Sequence, residues 1–259
     1  MDQTLLAATP SLPVLLTDPA PEIAALAAAW RKANGPVMSV ANRLGGDVEK
    51  ALSAVPEGLR SRIDAVTTRA LQAAMGLAAA GERAPDPGRR GSMAAAVLTG
   101  AAGGLGGVPT ALAELPVTVT VLLHAIRREA RAAGYDPDDP AIRAECLAVF
   151  AAGSPLAADD GVNTSFLSAR LTVTGPALQR LIAAVAPRLG ISLGQKLAAQ
   201  SVPVLGALAG AALNAAYMRY YREIARIRFA LLRLSETHGA EAVLAGFARE
   251  TGQRKLSRS

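Results

Sequence analysis

Three polar side chains in this sequence sit where apolar neighbours oblige them to find a partner. Glu114 stands between Leu112-Ala113 and Leu115-Pro116, His124 follows a run of valine and leucine, and Asn214 lies among alanines. A carboxylate withdrawn from water needs a cation or hydrogen-bond donors. Glu114 therefore reads as a proton-handling or ligand-binding acid, or structurally as a helix N-terminal cap or internal salt-bridge partner, given Pro116 just after it. His124 reads as a ligand-pocket group or a satisfied core histidine. The Asn214 amide must be satisfied, by an interhelical hydrogen bond or a ligand. The three are the candidate polar groups of a ligand pocket, and Glu114 is the acid on which a hydrolase or lipid-modifying enzyme would depend.

The rest of the chemical inventory is thin. The chain has two histidines, His124 and His238, and one cysteine, Cys146, which argues against a structural zinc site and an internal disulfide. There is no HExxH, GxSxG or P-loop pattern, and the glycines near 103 do not form a dinucleotide fingerprint. No catalytic set, metal site or cofactor is expected. Cys146 shares a helical face with Ile142 and Val149 and reads as a small buried hydrophobe.

These residues must be placed by two long apolar segments. The first, Gly91 to Ala113, carries no charged side chain but contains Gly100, Gly103, Gly104, Gly106 and Gly107, closed by Pro109. The second, Leu197 to Met218, contains Pro203, Gly206 and Gly210. Each matches the roughly 20 residues of a spanning helix. The glycine cluster favours a turn, however, and Pro203 leaves too short a run behind it. Glycines four apart, at 100/104, 103/107 and 206/210, let a neighbouring backbone approach closely, in a membrane or in a tight soluble core. Stable insertion, a soluble core with membrane contact, and a soluble protein without a membrane role all remain open.

After the second segment, residues 217–234 (YMRYYREIARIRFALLRL) form an amphipathic helix. Tyr220, Ile224, Ile227, Leu231 and Leu234 make its apolar stripe; Arg219, Arg222, Arg226 and Arg233 make a basic one. With Tyr217 and Tyr221 at the apolar end, the order suits a membrane interface, where rings sit at headgroup depth and arginines meet phosphates. A solvated surface helix has the same pattern. Nucleic acid is not expected as a partner, because no stacking aromatics or recognition motif accompanies the arginines.

The alanine-rich composition, with 51% hydrophobic and 3% aromatic residues, predicts an all-α protein, a helical bundle with apolar helices broken by glycine and proline. The net charge is +6, the pI about 10.0 and the mean hydropathy +0.27. Residues 1–80 read as an extended, proline-rich lead and a small helical part, with helices over 22–34, 37–55 and 57–80. Residues 81–91 (GERAPDPGRRG) read as a linker, 92–250 as an apolar helical core and 251–259 as a basic tail. Within the core, Pro116 is expected to open a helix over 117–133 that Gly134 ends. Pro140 is expected to start a helix over 141–152. One or two helices follow over 160–190, broken near Gly175-Pro176, and another is expected over 240–249. No secretory signal is read at the N-terminus, so the expected side is cytoplasmic.

The segment GAAGGLGGVPTALAELPVTVTVLLHAIRREARAAGYDP, the later CLAVFAAG and VPVLGALAGAALNAAYMRYYREIARIRFALLRL together resemble the EcsC protein family over roughly residues 91–235. The likeness rests on the glycine-rich run, the Glu-Leu-Pro step at 114–116 and the acidic loop after Gly134. It continues through Val-Pro-x-x-Gly, the Gly-Ala-x-x-Asn step ending at Asn214, and Ala225, Phe229 and Arg233. The family more often has arginine where this chain has His124, and glutamate where it has Ser235. The resemblance implies a bacterial, membrane-linked role near a transporter or secretion system and supplies no catalytic residues. The expectation is a non-enzymatic peripheral protein at the cytoplasmic face of the inner membrane, enclosing a hydrophobic cavity or inserting shallowly. Its partners would be anionic lipid or a membrane surface and a membrane transporter. Headgroup contact is expected from Arg219, Arg222, Arg226, Arg233, Tyr217 and Tyr221. The alternatives are the Glu114 enzyme and a transporter adaptor that does not bind lipid alone.

Overall fold

A computed structural model of the chain describes residues 18–33, 58, 61, 65–73, 88–105, 107–151, 182 and 203–252. Among them there is helix and turn but no strand, which makes the protein all-α. The main helices are α1 (Ala20–Ala33), α2 (Gly88–Leu105), α3 (Gly107–Ala132), α4 (Pro140–Ala151), α5 (Pro203–His238) and α6 (Ala240–Thr251). Residues 65–73 are also helical.

Helix ends follow local chemistry. Pro203 and Pro140 open α5 and α4, where a missing N–H costs nothing and φ is already set. Asp139 receives the Ala141 N–H on its carboxylate at 2.8 Å, which caps α4. Gly134 ends α3 with φ 91°. Its N–H donates to the carbonyl of Arg131 at 2.9 Å, and the Tyr135 N–H donates to that of Ala130 at 3.0 Å. These two bonds are the paired closure of a Schellman cap, which needs the left-handed residue that glycine supplies. The sequence-based boundaries of α1, α4 and α6 agree with these spans to within two residues.

Helix α5, at 36 residues, is about 54 Å long and forms the spine. Helices α2, α3, α4, α1 and α6 all pack on it, and α2 does so most extensively. The glycines spaced four apart lie in α2, α3 and α5. The main core joins Leu122, Leu123 and Ile126 of α3, Leu147 and Phe150 of α4, and Met218, Tyr221 and Phe229 of α5. Phe150 and Tyr221 lie 5.2 Å apart, ring centre to ring centre, in a tilted pair. A second core joins Ile23 and Leu26 of α1, Ile227, Leu231 and Leu234 of α5, and Val243 and Phe247 of α6. Gly246 allows the close approach of α1 to α6: a Cβ there would lie 3.3 Å from Ile23 Cδ1.

Three expectations need correction. Pro116 does not open a helix; it lies inside α3, which already runs from Gly107. The proline removes one N–H from the helical ladder, and packing of α3 against α2 and α5 carries the helix through. Gly103 and Gly104, expected in a turn, lie in α2, and Gly107 opens α3; Gly106 lies outside the described residues. The last residues of the 81–91 linker, from Gly88, belong to α2. The helix expected over 37–55, most of those over 57–80 and 160–190, and the 253–259 tail lie outside the described residues.

Candidate functional site

Helices α2, α3 and α5 are tied together by two polar crosslinks, each drawing on all three helices. At the charged end, Glu129 of α3 is buried. Its Oε1 accepts from Arg89 Nη2 of α2 at 3.2 Å and from Arg222 Nε of α5 at 3.4 Å. At the other, the Nδ2 of Asn214 in α5 donates to Glu114 Oε1 of α3 at 2.8 Å and to Thr99 Oγ1 of α2 at 3.3 Å. Thr118, one turn beyond Glu114, donates to the same Oε1 at 2.6 Å. Thr99 in turn donates to the Ala96 carbonyl. Glu114, Thr118 and Asn214 are all buried.

Glu114 and Asn214, expected separately from the sequence, therefore form one interhelical cluster. Glu114 neither caps a helix nor stands at a helix start; it sits within α3. His124 is half-buried and stands ~15 Å further along α3, away from the cluster. Thr99 and Thr118 escaped sequence reasoning, although the four-residue step from Glu114 to Thr118 is the spacing at which helical side chains meet.

Beyond the Thr99–Asn214–Glu114 cluster, α2 to Leu105, α3 from Gly107 and α5 from Pro203 carry no charged residue. Two large apolar side chains near this end face water: Leu98 of α2 is 68% exposed and Val117 of α3 is 49% exposed. Ala94 and Ala102, one turn either side of Leu98, are exposed as well, as are Ala113 of α3 and Ala212 of α5. Leu98 and Val117 were also missed, since nothing local separates an exposed leucine from a buried one in an apolar run.

The arginine stripe is largely occupied by the protein itself. Arg222 holds Glu129. Arg226 Nη2 pairs with Glu223 at 2.6 Å on its own helix, a hydrogen bond that holds the guanidinium more firmly protonated than usual. Arg233 pairs with Glu22 of α1 at 3.3 Å. Arg219 is exposed and makes no ion pair among the described residues. Tyr217 and Tyr221 are buried in the core, their rings stacked at 6.3 Å, so the ring pattern of this helix points inward. Burial pushes the Tyr220 phenol from 10.0 up to about 12.

Two buried arginines are further ties. Arg228 Nε of α5 donates to Glu145 Oε2 of α4 at 2.5 Å. Arg127 of α3 reaches the Pro137 carbonyl at 3.0 Å and Asp138 at 2.6 Å, pinning the acidic loop between α3 and α4. Cys146 is buried, and burial raises its thiol from 9.0 to about 12, which leaves it protonated and unreactive at neutral pH. Among the described residues no group of three His, Cys, Asp or Glu side chains could hold a metal ion. No described helix is long and apolar enough to cross a membrane.

A model of the EcsC protein family matches residues 40–234, most of the chain. The chain belongs to the EcsC protein family. No curated protein and no solved structure matches it. The EcsC match takes in both crosslinks and reaches further toward the N-terminus than the resemblance over 91–235. It also runs continuously through residues 81–91. The Glu-Leu-Pro and Gly-Ala-x-x-Asn steps that carried the EcsC resemblance meet in space as the Glu114–Asn214 contact.

Proposed function

We propose that this EcsC-family chain is a non-enzymatic, peripheral membrane protein at the cytoplasmic face of the inner membrane, accessory to a transport or secretion system. In this reading the charge-free end of α2, α3 and α5 enters the boundary between headgroups and acyl chains. The observation that carries it is the exposure of Leu98 and Val117 beside the part of the bundle that carries no charged residues. A leucine moved from water into an apolar phase gains roughly 1.5–3 kcal/mol. Alanines beside it add area and offer no steric obstacle. An interfacial element needs to enter only about 5–10 Å, so no spanning helix is required.

Arg219 supplies the electrostatic part. It stands ~7 Å along α5 from Asn214, on the charged side of the cluster, and is exposed. A cation near an anionic leaflet contributes about 1 kcal/mol. Arg222, Arg226 and Arg233 are engaged with acids of the protein and contribute less. The Glu114 oxygen that meets Asn214 and Thr118 is committed to holding helices together, which favours a binding role over acid catalysis at that atom.

Co-sedimentation tests the reading. The purified chain is spun with vesicles of neutral phosphatidylcholine, or of phosphatidylcholine mixed with phosphatidylglycerol, at low and high salt. Binding that rises with anionic lipid, weakens with salt and is lost in Leu98→Asp supports it. Wild-type protein that stays in the supernatant under every condition, or Leu98→Asp that binds as wild type does, overturns it.

A further inference from the structure

The two crosslinks set the register of α2 against α5. Thr99 and Asn214 meet at one level of the bundle. Arg89 and Arg222, both on Glu129, meet at another. The exposed residues change character between these levels. On α2 they run Ala102, Leu98, Ala94 and then Arg90, each one turn from the last. On α5 they run Ala212 and then Arg219 among the described residues. The first exposed charge on each helix is thus a cation, and neither helix carries a carboxylate between the two levels. Arg219 lies ~7 Å along α5 from Asn214, and Arg90 lies ~14 Å along α2 from Thr99. An arginine stem spans the difference, because it lies along apolar surface while its head reaches the polar layer. Arg131, the next exposed residue of α3 after Val117, stands past Glu129 and ~20 Å along α3 from Thr118, too far to share that layer.

Arg90 is also placed against local preference. It stands in the first turn of α2, which holds no acid and where the helix dipole disfavours a cation. Its neighbour Arg89 is engaged with Glu129. Arg90 is exposed and makes no ion pair among the described residues. An anion outside the protein offsets that cost.

We infer that Arg90 and Arg219 form a cationic collar beside the exposed apolar residues, and that the two guanidinium groups take the phosphates of anionic phospholipids. The inference rests on the membrane reading above and deepens it, by adding a second cation on a different helix and naming the lipid class. Leu98 and Val117 enter the apolar layer, and the collar stays among the headgroups.

The test measures binding of the full chain to vesicles of phosphatidylcholine and of phosphatidylcholine mixed with phosphatidylglycerol, at low and high salt. On mixed vesicles at low salt, Arg90→Gln is expected to raise the lipid concentration for half-maximal binding roughly fivefold, and Arg90→Gln with Arg219→Gln roughly twenty-five-fold. Both converge on wild type on phosphatidylcholine alone and at high salt. Arg90→Lys keeps the charge and is expected to bind as wild type does. Arg249→Gln, at an exposed position of α6, is expected to change nothing. Unfolding midpoints equal to wild type show that each variant folds. Arg90→Gln that binds mixed vesicles as tightly as wild type overturns the collar, and so does Arg90→Gln that loses as much on phosphatidylcholine alone. The membrane reading stands in either case as long as Leu98→Asp abolishes binding. Wild-type protein that binds no vesicle overturns both.

Discussion

Arg228 of α5 and Glu145 of α4 meet at 2.5 Å with both side chains buried. The pair joins two helices that also share apolar contacts, among them the rings of Phe150 and Tyr221. Removing one member leaves the other charged and enclosed. Glu145→Ala is therefore expected to cost about 3–5 kcal/mol in urea unfolding. The paired change Glu145→Leu with Arg228→Met is expected to recover most of that loss. A double variant as unstable as the single one would show that the pair is worth more than its apolar replacement.

The arginines of α5 separate into two kinds. Arg222 shares Glu129 with Arg89 across three helices, whereas Arg219 is exposed without an ion pair among the described residues. Arg222→Ala is expected to lower the unfolding midpoint by strengthening the burial penalty on Glu129. Arg219→Ala is expected to leave that midpoint unchanged and to weaken binding to anionic vesicles at low salt by about 1 kcal/mol, roughly fivefold. Equal effects of the two substitutions on vesicle binding would contradict the division.

High pH acts on buried groups of the core. Burial raises Cys146 from 9.0 to about 12 and Tyr220 from 10.0 to about 12; it also raises Tyr217 and Tyr135. The unfolded chain releases these protons at their ordinary values and the folded chain retains them. The unfolded state then binds fewer protons, so stability falls as pH rises. It is undiminished below 9.0 and declines toward about 12. Urea midpoints measured across this range are expected to drop, with tyrosinate absorbance appearing together with loss of helix. Tyrosines that ionise near 10.0 in a chain still fully helical would contradict this burial.

Much of the fold is legible in the residues because helix ends are local chemistry. Gly134, Pro140 and the amphipathic spacing of Ile23, Leu26 and Trp30 place α3, α4 and α1 without reference to the rest of the molecule. The stripe Tyr220, Ile224, Ile227, Leu231 and Leu234 is buried as its spacing predicts. Pro116 is misread because a proline opens a helix or sits within one according to what its flanks pack against, and those contacts come from α2 and α5. The same limit applies to the arginines. Their spacing gives the face they occupy but not Glu129 or Glu22, which arrive from other helices. Tyr217 and Tyr221 look interfacial beside an apolar run, yet that run ends inside the core. Asn214 shows that burial without an identified partner can be a sound inference: its need for an interhelical bond is legible, whereas Glu114 as the acceptor is not.

The proposed membrane contact is tested by the depth of residue 98 in a bilayer. A nitroxide at Leu98→Cys, in the Cys146→Ala background, is compared with one at Glu236→Cys, an exposed position near the opposite end of α5. Collisions with dissolved oxygen and with a water-soluble nickel complex are recorded on anionic vesicles. The account requires the label at 98 to gain oxygen contact and lose nickel contact on binding, while the label at 236 keeps its aqueous values. A label at 98 that remains equally open to nickel on vesicle-bound protein contradicts entry of the charge-free end into lipid.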